Sequence, residues 1–147
     1  MREILFRGKR TDNGEWITDS ETYIRDGDGI WLSDENLNVV TVIPETVGQY
    51  TGLTDKNGVR IFEGDIVRAT IDRAERCQSP RIENGVIGYD CIGMIGLILY
   101  KDKNGENVWS DFFNELSLSG LIEDYYFEII GNIHDNPDIL KGGGENG

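Results

Sequence analysis

The chain has 147 residues, enough for one domain or two small lobes to bury a core without disulfide staples, and 38% hydrophobic with 28% charged residues excludes a disordered protein. Its 27 acidic against 14 basic residues give a formal net charge of −13, which opposes generic attraction to nucleic-acid phosphates or anionic lipid. Nineteen glycines against three prolines call for many tight turns and bent strands, because Gly takes φ > 0 without steric cost.

From the N-terminus, turn signals and short β-prone runs predict strands at 3–7, 15–18, 22–25, 30–32 and 39–43, with Asn13-Gly14 turning the first hairpin. Asp26-Gly27-Asp28-Gly29 resembles a fragment of a calcium loop. It lacks the ordered ligand series and the closing Glu of an EF-hand, and reads as a turn between strands. Residues 47–67, VGQYTGLTDKNGVRIFEGDIV, have the order of an extended segment (Gly48, Gln49, Tyr50, Gly52), a hairpin at Asn57-Gly58, and a corner at Glu63-Gly64-Asp65 that leads into a strand over 65–71. Neither GxGxxG nor the Gly-Lys-Ser/Thr of a P-loop is present, so these glycines read as scaffolding.

Residues 72–84 show no period and read as a surface loop carrying Arg73, Arg76, Cys77 and Arg81. Strands follow at 85–90, 94–101 and 107–110, with Asn84-Gly85 and Asn104-Gly105 as further turn signals. The spans TDKNGVRIF and KDKNGENVW share Asp-Lys-Asn-Gly, two uses of one turn solution and not an internal repeat. Residues 110–119 suit a helical turn with Phe112, Phe113 and Leu116 on one face, and 126–133 a last strand. Asp135-Asn136-Pro137 has the form of an N-cap before a single turn ending at Leu140, and KGGGENG at 141–147 reads as a flexible tail. The expected class is mainly β, with small bent sheets or an SH3-like barrel and short helical turns. Residues 1–140 form one β-rich domain, or two lobes at about 1–71 and 85–140 joined by the loop 72–84.

Chemistry-bearing constellations are sparse. His134 is the only histidine, which excludes a His-rich metal site and leaves a hydrolytic triad one candidate. Cys77, between Arg76 and Arg81, is a candidate for a lowered thiol pKa, against a plain surface or semi-buried thiol. Cys77 and Cys91 lack CxxC spacing, and no signal peptide precedes them, so a reduced, cytoplasmic protein is expected. No apolar run reaches the roughly 20 residues of a membrane-spanning helix. The sequence therefore leads to no catalytic, cofactor-binding or metal residues. The alternatives are a small-molecule enzyme working through Tyr50, Glu63 and Asp65, or an acidic mimic of DNA.

Three segments in order, MREILFRGKR at the start, VIPETVGQYTGLTDKNGVRIFEGDIV over 42–67 and FEIIGNIHDNPDIL over 127–140, resemble the YopX family of phage and prophage proteins. The resemblance implies a small, mostly β accessory protein of the host bacterial cytoplasm and supplies no catalytic residues. Such a protein is expected to act by protein–protein binding, to itself or to a host or phage protein. Aromatics at neighbouring positions, Phe112-Phe113 and Tyr125-Tyr126, must point to both faces of an extended segment, which makes them candidate interface residues of a homo-oligomer.

Overall fold

In the computed structural model, which describes residues 3–72, 78–113 and 124–137, the chain divides into two compact units. The first comprises Met1–Leu53 with Arg60–Glu63, the second Thr54–Val59 with Gly64–Gly147. The class is mainly β, with curled sheets, a half-barrel and, among the described residues, one short 3-10 turn.

In the first unit, β1 (Phe6–Lys9), β2 (Trp16–Ser20), β6 (Gly48–Thr54) and β7 (Arg60–Phe62) form one sheet in the order β2-β1-β6-β7. A second sheet runs β3 (Tyr23–Asp26), β4 (Gly29–Ser33), β5 (Val39–Val42). Backbone bonds from Ile43 N–H to Lys9 O and from Thr11 N–H to Thr41 O tie the two sheets, with a bridge between Arg10 and Val42. Ile17, Ile30, Leu32 and Val42 are buried between them against Phe6, Val40 and Val47. Each such side chain contributes about 1.5–3 kcal/mol on leaving water.

β6 and β7 go beyond the expected strands, since the sequence marks only an extended segment at Gln49 to Gly52 and β7 is too short to show alternation. The Pro44–Thr46 turn is also additional to the reading. Pro44 stands in its first turn, where a missing N–H costs nothing, and the Thr46 hydroxyl donates to Ile43 O.

The second unit is one antiparallel sheet in the order β11 (Asn107–Trp109), β10 (Ile95–Lys101), β9 (Arg81–Tyr89), β8 (Asp65–Asp72), β12 (Asp124–Asn132). Val67, Ala69 and Ile71 alternate along β8 and are wholly buried, as are Ile87, Leu97 and Phe112. The Phe112 and Phe127 rings meet at 5.9 Å between centroids, tilted by 50°.

Asn84-Gly85 is not a turn. It lies within β9, which starts at Arg81 and so takes residues 81–84 from the expected loop. Gly85 is there for closeness: a Cβ would stand 2.6 Å from Leu97 Cγ and 2.7 Å from Ile98 O. The same holds at Gly96, where a Cβ would meet the Trp109 ring at 2.6 Å, so the indole covers a strand position that carries no side chain. The expected turn at 110–119 is described only as far as Phe113, and that at 136–140 only as far as Pro137. The rest of both, and 141–147, lie outside the described residues.

Candidate functional site

The stretch 47–67 supplies strands and turns to both units. Gly48 pairs with Arg7, and a Cβ on it would lie 2.5 Å from Glu63 O. Arg7 Nη2 donates to that same carbonyl at 3.3 Å, while its guanidinium lies 5.0 Å from the Trp16 ring and 5.3 Å from the Phe62 ring. Gln49 O accepts from Glu63 N–H. Tyr50 is buried with Leu5 and Phe62, with the Arg60 guanidinium over its ring. Gly52 and Gly58 both have positive φ, of +89° and +82°.

In the second unit, Gly64 takes φ +94°, donates to Ile87 O and accepts from Ile133 N–H. Asp65, buried, opens β8 opposite Asn132. Half-burial pushes the Glu63 carboxyl above its ordinary range, opposed by a hydrogen bond from the Gln49 backbone.

Turn chemistry accounts for much of the remaining acid. Asp34, Asp55, Asp90 and Asp102 each open a loop of one design. The Oδ1 of each accepts N–H bonds from the residues two and four further on, at 2.8–3.0 Å. The backbone closes each loop twice, as in Asp55 N–H to Val59 O and Gly58 N–H to Asp55 O. The carboxyl of Asp34 is held below its usual range, first by the Asn38 N–H bond.

A groove of about 330 Å³ in the first unit is lined by Arg10, Trp16, Asp34 and Glu35 among others. Arg10 is paired there with Asp12 through two hydrogen bonds of 2.9 and 2.8 Å, and Asp34 Oδ1 accepts from its own loop. Asp26 to Gly29 form the two-residue β3–β4 hairpin turn, with Gly27 at φ +59°. His134 sits in a turn where Asn132 Oδ1 accepts its N–H. No group of three metal-ligating side chains occurs among the described residues, and Cys77 and Arg76 lie outside them.

The expected interface residues separate. Phe112 is in the core, and Phe113 is half-buried against Phe127. Tyr125 and Tyr126 are 48% and 43% exposed, on opposite faces of β12. The Tyr125 ring packs edge-on to Phe127, while Tyr126 lies under the Lys56 ammonium. Tyr126, Thr70 and Ile82 are successive cross-strand partners, with Ile82 exposed. Beside this row Glu128 bridges Lys56 and Arg68, both at 2.9 Å. The Lys56 ammonium, first by hydrogen bonding and then by charge, lowers the Glu128 carboxyl pKa.

The family model described as YopX protein matches residues 5–141. The chain belongs to the YopX protein family. A comparison with curated proteins gives no match.

In this YopX family member the three segments that carry the family resemblance are partners of one another. Phe6 pairs with Gln49 and Arg7 with Gly48 in the first unit, and Asp65 pairs with Asn132 in the second. Sequence reasoning did not single out Ile82, Ile92 or Met94, three exposed apolar residues of the second unit. For the last two a signal exists: Asp90-Cys91-Ile92-Gly93 repeats the spacing of Asp-Lys-Asn-Gly with apolar residues between Asp and Gly.

Proposed function

We propose that this YopX family chain is a non-catalytic phage or prophage accessory protein of the host bacterial cytoplasm that acts by binding protein surfaces, its own copies included. The observation that carries the reading is the row Tyr126–Thr70–Ile82, which presents an aromatic and an aliphatic side chain to solvent on a sheet fixed by its core. Aromatic residues on a rigid face, edged by Lys56, Arg68 and Glu128, have the make-up of a protein interface. The net charge of −13 favours a basic protein partner over nucleic acid. The alternative of an enzyme centred on Tyr50, Glu63 and Asp65 loses support because Tyr50 is buried in an apolar cluster with Leu5 and Phe62.

Affinity purification of the tagged chain from phage-infected host cells tests the proposal, with Tyr126→Ala/Ile82→Ala alongside. A stoichiometric protein recovered with the parent and lost with the variant is the expected result. A partner-free preparation that is also monomeric in solution sinks it.

A further inference from the structure

The four Asp-opened loops provide a control within the molecule. All four make the same set of hydrogen bonds, and the two positions after the Asp are Glu35-Asn36, Lys56-Asn57 and Lys103-Asn104 in three of them. The fourth, which turns β9 into β10, has Cys91-Ile92 there and Met94 after the glycine. Loop geometry does not ask for apolar residues, since polar ones make the same turn three times over. Solubility disfavours them, with Ile92 79% and Met94 60% exposed. The Asp90 Oδ1 accepts from the Ile92 and Met94 N–H groups at 3.0 and 2.9 Å, within the loop itself.

Charge decides what the tip meets. Residues 91–100 are the longest run without a charged side chain in a chain that is 28% charged, so two copies, each at −13, can meet here without setting like charges against each other in the contact. The same net charge opposes an anionic lipid surface. Resting on the binding role proposed above, we propose that the β9–β10 hairpin end, Cys91 to Met94, is a self-association contact that seats against the same hairpin end of a second copy. The contact is isologous: Ile92 and Met94 of each copy shield those of the other. A hairpin end is a small patch, so the association belongs at the weak end of protein interfaces.

The test exchanges one loop of the protein for another. Cys91→Lys, Ile92→Asn and Met94→Glu together give residues 90–94 the sequence of 102–106, a loop this fold already makes, and leave the net charge unchanged. Ile92→Asn alone is the fallback if the triple variant does not fold. Light scattering after gel filtration, from about 10 to about 100 µM, is expected to show the parent moving toward twice the 16.6 kDa chain mass and the variant remaining a monomer with an unchanged melting temperature. A parent monomeric over the whole range, at low and high salt, overturns the proposal. A variant that associates as well as the parent also overturns it, while leaving binding through the Tyr126 row intact. Loop-dependent sedimentation of a monomeric parent with phosphatidylcholine vesicles overturns it in favour of lipid.

Discussion

Leu37 is the residue most at odds with its backbone. It holds φ +65° in the loop position that Gly58, Gly93 and Gly105 hold in the other three, and its side chain is 82% exposed. An L-residue there carries roughly 1–2 kcal/mol of strain, against a glycine entropy cost of about 0.5–1 kcal/mol, and little packing is at stake. Leu37→Gly is therefore expected to stabilise the chain by about 0.5–1 kcal/mol, read as a melting temperature raised by a few degrees in calorimetry. Glu63 gives a pH-dependent expectation. Its raised pKa means that the folded chain keeps this proton to higher pH than the unfolded one. Stability is thus lost as pH rises from the ordinary carboxylate range through the folded pKa. Glu63→Gln should raise the melting temperature at pH 7 and leave it unchanged at pH 3, where both states are protonated; the same gain at both values would refute desolvation as the cause. Glycine 64 was legible as a bend in the sequence, and φ +94° bears it out. Leu37 was not, because nothing about a leucine announces a left-handed backbone.

At the level of elements, short turns set the strands. Gly64→Val is expected to cost about 1–3 kcal/mol, since a β-branched residue is strained at that φ, and equal melting of variant and parent would show the bend to be dispensable. Asp55 is buried and its Oδ1 holds two N–H groups, so Asp55→Ala should cost about 1–3 kcal/mol. Asp26→Ala and Asp28→Ala should stay within about 0.5 kcal/mol, because Gly27 makes that turn. Denaturant titration of the three separates turn-building carboxylates from surface ones. The Asn-Gly signal located the turns at Gly14, Gly58 and Gly105 but misplaced one at Gly85. An Asn-Gly pair marks where φ > 0 is easy, whereas Gly85 is required by the closeness of Leu97 on the neighbouring strand. That neighbour is known only once the register is set.

For the molecule as a whole, charge makes the last prediction. If copies meet at the uncharged hairpin end, their mutual repulsion is the term that salt removes, so self-association should strengthen between 50 and 500 mM NaCl, as the Debye length falls from roughly 14 to 4 Å. Binding of a basic partner should weaken over the same range. Sedimentation velocity at both concentrations checks the first, and weaker self-association in high salt would place charged side chains in the contact. The sequence by itself determined the mainly β class, the corner at Gly64 and the family, because turn residues and ordered motifs act locally and are written locally. Only the tertiary structure decided that β7 joins β6, that Phe112 belongs to the core while Tyr125 and Tyr126 reach solvent, and that one loop of four carries an exposed apolar tip. Burial is a property of the whole packing: two adjacent aromatics have the same sequence signal whether a sheet covers them or water does.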